Sequence, residues 1–296
     1  MIRLLLGFFL IVSHVWAAPK IAVSIQPIHS IVSNITQGVT TPSLLLDAQQ
    51  SAHHFHLKPK QLSLIEQADL LVIVHPTFES GLAKVFQHAE HENRLSISPI
   101  DDEKHEDEAH KDHEGDEDEA HEEHQHAKDP HLWLDIEQMQ AFAHKLTRKL
   151  VKIDPKNQSK YLANLVQLER KLSTLHQQIA QQLDQANSKP LATYSNAFEV
   201  FIEHYQLNHI ASVVEQHEQR PSIKNLLAAK KSIQQHQAGC LLASTDVSPK
   251  QINLLKENLH LNTTRIDILG SSLKPGADLY FDLMQKVTQK IAQCLR

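Results

Sequence analysis

The sequence predicts an α/β protein, and three observations support this fold class. Short apolar runs rich in Leu or β-branched residues recur along the chain, amphipathic helical stretches separate them, and one long helix divides a strand-rich first part from a strand-rich last part. Runs of this kind are typical of buried parallel strands. They lie at 20–25, 43–47, 69–74, 190–195, 209–214 and 240–245.

The N-terminus predicts an exported protein. A short charged start is followed by an apolar run at 4–12, which is too short to span a membrane. Val15 and Ala17 then stand at the −3 and −1 positions of a signal-peptide cleavage site. We therefore expect a signal peptide at 1–17, cleaved near Ala17. The mature chain of about 280 residues would form one large or two medium domains.

The segment 101–128 is the most unusual part of the chain. It contains fourteen acidic residues against three lysines, a formal charge of −11, whereas the whole chain carries −6. It is too polar to form a core, so we expect a solvated, mobile insert. Because imidazole and carboxylate both bind zinc, low-affinity metal capture is favoured over a simple solubility loop. The six histidines of the insert are His105, His110, His113, His121, His124 and His126.

The rest of the chain argues against two broad classes of function. Outside the insert the formal charge is +5, but the basic residues are scattered and no aromatic residues alternate with them, so we expect no nucleic-acid partner. His54-Phe55-His56 has the H-x-H spacing of some metal hydrolases. The paired Asp-His that follows in one such group is absent, and so is a G-x-S-x-G nucleophile motif. An enzyme is therefore disfavoured.

A long amphipathic helix is predicted from Pro155 to Asn187. Proline suits the first helical position, no Gly or Pro interrupts the pattern, and Asn187 and Ser188 end it. Such a helix would be about 45 Å long. Its single apolar stripe fits either a spine between two lobes or a coiled-coil dimer seam. The stripe consists of Tyr161, Leu165, Leu168, Leu172, Leu175, Ile179 and Leu183.

Two cysteines, Cys240 and Cys294, remain in a chain expected to reach an oxidising compartment. A disulfide between them would attach the C-terminal helix to a strand. Closing a loop of that length stabilises a fold by roughly 4 kcal/mol in the chain-entropy model. Two free thiols are the alternative.

Candidate metal ligands outside the insert fall at strand ends. His53, His54 and His56 lie between a predicted strand and the helix starting near Pro59, and Asp267 follows another strand. His131 lies just after the insert and before a helix that begins near residue 137. Loops at the carboxyl ends of parallel strands are where α/β sheets bind ligands.

Several of these segments together resemble a known family. Residues 129–134 read D-P-H-L-W-L and match the family motif D-P-H-x-W-L directly after a His-rich insert. Residues 53–59, H-H-F-H-L-K-P, resemble H-D-Y-x-L-R-P, and residues 68–72 resemble the strand A-D-L-V. Over nearly the whole mature chain the sequence resembles the periplasmic solute-binding proteins of zinc and manganese ABC importers, and above all their zinc-binding members.

The resemblance implies a fold and a function. It implies two lobes, each a parallel-sheet α/β domain, joined by one long rigid helix with a metal cleft between the lobes: an N-terminal lobe at 18–154, a linker helix at 155–187 and a C-terminal lobe at 188–296. It implies a periplasmic, monomeric protein that captures Zn²⁺ and delivers it to an inner-membrane ABC permease with its ATPase. It places the metal on His53, His131 and Asp267, and it pairs Cys240 with Cys294.

The chain departs from the family at the third histidine ligand. Ser195 stands at that position, and a neutral hydroxyl is a poor zinc ligand beside imidazole. Water or Ser195 could complete a weaker site, or His54, His56 or an insert histidine could supply the missing ligand. Alternatively, the cleft has lost tight binding and the chain is a periplasmic zinc buffer or chaperone. A manganese-binding relative is less expected, since manganese sites pair histidines with two carboxylates.

Overall fold

A computed structural model describes residues 17–47, 50–98, 131–184, 186, 188–214 and 221–296. The predicted signal peptide, apart from Ala17, lies outside the described residues. The acidic insert at 101–128 with its six histidines lies outside them as well, as does Asn187.

The first half of the chain forms a four-stranded parallel sheet. The strands lie in the order β2-β1-β3-β4, and the register places Ile21 opposite Leu70 and Leu71 opposite Arg94. The central strands β1 and β3 are fully buried, which explains their uninterrupted apolar sequence. The elements of this half are β1 (Ile21–Val23), α1 (Gln26–Ile35), β2 (Ser43–Leu44), α2 (Pro59–Glu66), β3 (Leu70–Ile73), α3 (Ser80–His88), β4 (Arg94–Ser96) and α4 (Ile136–Ile153).

The last part of the chain repeats this arrangement. Its strands lie in the order β6-β5-β7-β8, again all parallel, so both sheets have the same strand order relative to their first strand. The predicted fold class of two parallel-sheet α/β domains is confirmed. The elements are β5 (Leu191–Thr193), α6 (Glu199–His204), β6 (His209–Ser212), α7 (Ile223–Gln235), β7 (Cys240–Ser244), α8 (Pro249–Lys256), β8 (Asn262–Ile266) and α9 (Leu279–Cys294).

All six predicted apolar runs contain a strand, but two differences are informative. The run at 43–47 forms only the two-residue strand β2. Strand β4 was not predicted, because Arg94-Leu95-Ser96 has no apolar run. It lies at the sheet edge and pairs only with β3, so one partner and a single buried apolar side chain suffice to define it.

The helix α5 (Gln158–Leu183) connects the two halves. A 3₁₀ turn at Pro155–Asn157 precedes it, so the α-helix is shorter at both ends than the predicted 155–187 and extends about 39 Å. Every residue of the apolar stripe is buried within the chain, where α5 packs against α1, α4 and α9. The stripe is therefore an internal spine and not a dimer seam.

Two further features concern the cysteines and the helices of the chain. Cys240, at the start of β7, and Cys294, at the end of α9, form a disulfide with a Cα–Cα distance of 5.5 Å, as predicted. Within the described part of the chain, none of the helices combines the length and the apolar character that crossing a bilayer requires.

Candidate metal centre

The predicted ligands lie beyond the carboxyl ends of strands in both sheets. The loop carrying His53 follows β2, and His131 precedes α4 on the segment that returns from β4. Ser195 follows β5 directly, and Asp267 follows β8 directly. In each sheet the second strand lies on one side of the first strand and the later strands lie on the other, and open parallel sheets bind ligands at such a switch in strand order.

His53 and His131 are brought together around one aromatic ring. Their ring centroids are 5.9 Å apart. Phe78, which is 3% exposed, contacts both edge-on, with centroid distances of 4.1 Å to His53 and 5.5 Å to His131. His131 is fully buried and His53 is partly buried, so solvent reaches the pair from the His53 side.

The segment after His131 is anchored in the second half of the chain. Residues Leu132–Leu134 form a 3₁₀ turn that buries Trp133 completely. The Trp133 Nε1–H donates a hydrogen bond of 2.8 Å to the carbonyl oxygen of Ile268, the residue after Asp267. This bond links the segment that carries His131 to the segment that carries Asp267.

Asp267 is partly buried and shapes its own turn. Its Oδ1 accepts from Leu269 N at 3.3 Å and its Oδ2 accepts from Ser272 N at 2.9 Å. The turn contains Gly270 at a φ of +70°, a backbone conformation that favours glycine. With its amide nitrogen turned towards this loop, the Gln26 side chain donates to the Gly270 carbonyl at 2.6 Å.

The three predicted ligands do not form a closed metal cluster. Among the residues that the structure describes, no group of three or more His, Cys, Asp or Glu side chains is arranged to hold a metal ion. His53 and His131 are paired, whereas Asp267 is connected to them through Trp133 and Ile268. The ligand set His53, His131 and Asp267 therefore stays a prediction.

The supplementary candidates have different environments. Ser195 is 1% exposed and immediately precedes a 3₁₀ turn at Asn196–Phe198, so a larger side chain there would point into packed surroundings or displace them. His54 and His56 are exposed, and the His54 ring centroid is 6.4 Å from that of His53.

The loop after β3 is a part of the site that the sequence reasoning missed. Glu79 is fully buried, and its Oε2 accepts from the backbone N–H groups of Val74 at 2.7 Å and His75 at 3.2 Å. Burial raises the pKa of the Glu79 carboxyl to about 8, although the two backbone donors and the neighbouring Ser24 hydroxyl act in the opposite direction. The sequence offered one indication of its role: Glu79 lies shortly after the predicted strand at 69–74, where parallel sheets bind ligands.

The same loop supports the backbone of the His53 segment. The Ser80 hydroxyl donates a 2.6 Å hydrogen bond to the His53 carbonyl oxygen. At Gly81 a Cβ atom would lie 2.5 Å from the Phe55 carbonyl oxygen, so only glycine lets the two segments approach this closely.

A further polar contact joins the two halves near the site. Asp135 caps α4 by accepting from Glu137 N at 2.8 Å, and the same Oδ1 lies 3.1 Å from His204 Nδ1 on α6. The other ring nitrogen of His204 is 3.2 Å from His176 Nδ1 on α5. The start of α4, the spine helix and α6 are therefore held in register by one hydrogen-bonded chain.

Comparison with known proteins identifies the family. A family model described as zinc-uptake complex component A, periplasmic, matches residues 21–294. The high-affinity zinc uptake system protein ZnuA of Haemophilus ducreyi is 32% identical over 291 residues, covering 94% of this chain and 94% of that protein.

Two solved structures share the fold. A crystal structure of ZnuA has a TM-score of 0.73 and 22% identity, and it covers 94% of this chain and 100% of its own. The periplasmic zinc binding protein TroA from Treponema pallidum has a TM-score of 0.74 and 15% identity, with 94% and 99% covered. Since the family model spans both sheets, the spine helix and every predicted ligand, this chain belongs to the family of periplasmic zinc-uptake components.

Proposed function

We propose that this chain captures Zn²⁺ in the periplasm and delivers it to the membrane permease of an ABC importer. The observation that supports this most is the pairing of His53 and His131, 5.9 Å apart around Phe78, at the carboxyl ends of the first sheet. Neutral imidazole is a preferred zinc ligand. Membership of a zinc-uptake family makes the chain a transport component and not an enzyme.

The cleft would hold Zn²⁺ as cargo between the two lobes. His53 and His131 supply two nitrogen ligands from the first lobe, and Asp267 supplies a carboxylate from the second after a small approach of its loop. Ser195 leaves one position for water, its own hydroxyl, His54, His56 or an insert histidine. With fewer imidazole ligands, the site would bind zinc less tightly than a site with three histidines.

The acidic insert would raise the local zinc concentration. Its histidines and carboxylates bind the ion weakly at many positions, and its C-terminal end leads directly into 129–131, so captured zinc is released within reach of the cleft.

The spine helix would restrict the lobes to small movements. Helix α5 packs against α1 and α4 of the first half and α9 of the second, and burying its whole stripe opposes a wide hinge opening. Release would then come from shifts of the 53–57 and 267–272 loops on docking.

The lobes would span 18–154 and 188–296, joined by 155–187, in a monomer whose signal peptide is cleaved near Ala17.

Calorimetric titration of the full chain with Zn²⁺ tests the cleft. Replacing His53 and His131 with alanine should abolish the tightest binding event and leave weaker events that belong to the insert. Unchanged tight binding in the double variant would exclude the cleft site. Deleting 101–128 should reduce the number of zinc ions bound, and an unchanged stoichiometry would exclude the role of the insert.

The serine at position 195 favours one second candidate, a zinc buffer that does not load a permease. In that case, the weak sites of the insert would account for all binding. Growth under zinc limitation discriminates the two: deletion of the gene should impair growth if the chain serves uptake, and the defect should be restored only by a variant with an intact cleft.

A further inference from the structure

The loop after β3 and the first turn of α3, together residues 75–81 and called here the β3 loop, contact the His53 segment through three neighbouring residues. Phe78 packs edge-on against the His53 ring at 4.1 Å, Ser80 donates to the His53 carbonyl, and Gly81 lies against the Phe55 carbonyl. These contacts fix both the backbone and the ring of His53. Whatever holds the loop therefore also sets the position of His53.

Glu79 is the residue that holds this loop. It lies between Phe78 and Ser80, and its side chain turns inward where it is 0% exposed. Its Oε2 binds the backbone N–H groups of Val74 and His75, which are the first donors beyond the end of β3. The loop also closes through its backbone, because Glu79 N and Phe78 N both donate to the His75 carbonyl at 3.0 Å. The carboxyl thus ties the loop to the last residues of the strand.

We propose that Glu79 is a positioning residue for zinc: its buried carboxyl group fixes the β3 loop so that Phe78 and Ser80 present His53 next to His131. This inference rests on the proposed cleft site. The carboxyl acts here as a hydrogen-bond acceptor, since its Oε2 binds two backbone N–H groups at 2.7 and 3.2 Å in a fully buried position. Residues that orient a metal ligand typically change metal affinity 10–100-fold when removed.

Glutamine and alanine at position 79 separate this role from simple packing. Glutamine keeps an acceptor oxygen of the same reach and is neutral, so Glu79→Gln should retain zinc affinity within about threefold. Alanine removes the acceptor, so Glu79→Ala should weaken the tight binding event about 10–100-fold. The exposed Ser80→Ala variant, which removes only the bond to the His53 carbonyl, should fold normally and weaken binding severalfold.

Asp154 supplies the matched control. It is a 3% exposed carboxyl at the start of the spine that accepts hydrogen bonds from Tyr161 Oη at 2.8 Å and Asn157 Nδ2 at 2.6 Å. Asp154→Ala should lower thermal stability as Glu79→Ala does, yet leave the zinc dissociation constant unchanged.

The titrations use the full chain with Zn²⁺. The tight zinc-binding event that is lost in the His53→Ala/His131→Ala variant is assigned to the cleft and called the cleft event. The proposal is supported if Glu79→Ala and Ser80→Ala weaken that event while Glu79→Gln and Asp154→Ala do not. It is overturned if Glu79→Ala and Ser80→Ala bind as the parent does, or if Glu79→Gln weakens binding as much as alanine. If the double histidine variant loses no event, the cleft function itself fails, which is a separate and recognisable result.

Discussion

Trp133 Nε1 donates a fully buried hydrogen bond to the carbonyl oxygen of Ile268, across 2.8 Å and between the two halves of the chain. One partner lies two residues after His131 and the other one residue after Asp267. The candidate ligands from the two sheets are therefore positioned relative to each other by a bond that involves neither of them.

Replacing Trp133 with phenylalanine should weaken zinc binding as well as stability. The substitution leaves the Ile268 carbonyl buried without its donor, which costs about 1–3 kcal/mol. Chemical denaturation and zinc titration measure the two effects. Tyr161→Phe removes a different buried hydrogen bond, from the Tyr161 hydroxyl to Asp154, and serves as the control. A stability loss in Trp133→Phe with unaltered zinc affinity would show that the bond does not position the ligands.

Replacing Gly81 with alanine should displace the His53 loop. The new Cβ would lie 2.5 Å from a backbone oxygen of Phe55, so one of the two segments has to move. We expect lower stability and weaker zinc binding, measured by thermal unfolding and calorimetry. Gly239→Ala is the matched control, because a Cβ there meets nothing within 4 Å. Equal behaviour of the two variants would contradict the close approach at Gly81.

Replacing Ser195 with histidine should tighten zinc binding. The position corresponds to the histidine that the family resemblance expects, and imidazole is a much better zinc ligand than a hydroxyl. The site is 1% exposed, so the larger side chain should also cost about 1–3 kcal/mol of stability through overpacking. Ser195→Ala tests whether the hydroxyl itself contributes, since in that case the affinity falls. A histidine variant without any gain in affinity would place the missing ligand elsewhere.

Glu79 should make stability fall as the pH rises. The pKa of its carboxyl is about 8 in the folded chain against 4.5 unfolded, so the folded state holds an extra proton between these values. The stabilising effect of that proton is complete below about pH 4.5 and is lost progressively up to about pH 8. Glu79→Gln removes the titration. The unfolding free energy of the variant relative to the parent should therefore rise by a few kcal/mol between pH 5 and 8. A difference that is constant with pH would contradict the buried neutral carboxyl.

Removing the disulfide should lower stability but spare the metal site. Cys240 and Cys294 are separated by 54 residues, so their bond contributes about 4 kcal/mol in the chain-entropy model. Cys240 begins β7, at the opposite end of the sheet from Asp267 and Ser195. The Cys240→Ala/Cys294→Ala variant should denature at lower denaturant concentration with nearly unchanged zinc affinity. A large loss of affinity would mean that the disulfide also positions the cleft.

Much of the fold was predictable because buried strands and helices have characteristic patterns of apolar residues. The central strands are read from uninterrupted apolar runs, since both faces of β1, β3 and β7 are covered. The spine helix is read from its apolar stripe, although its ends were placed a few residues too far out. The edge strand β4 was not predicted, because a strand with one neighbour needs few apolar residues.

The candidate site was only partly predictable. Histidines and an aspartate at strand ends could be named in advance, because parallel sheets bind ligands there. The supporting residues Phe78, Glu79 and Gly81 could not, since nothing in a single segment shows which distant backbone it will touch. Their importance follows from contacts with 53–55 that exist only after folding.

The sequence by itself determined the class of fold, the family resemblance and the candidate ligands, because these depend on local pattern and residue chemistry, but it left two free thiols open as the alternative to a disulfide between Cys240 and Cys294. Only the tertiary structure decided that the spine stripe is covered within one chain, that Phe78 brings His53 and His131 together, and that Asp267 is linked to them through Trp133 and Ile268. The physical reason is that these distances depend on how segments far apart in the chain pack against each other. The sequence of one segment does not show which other segment it will contact.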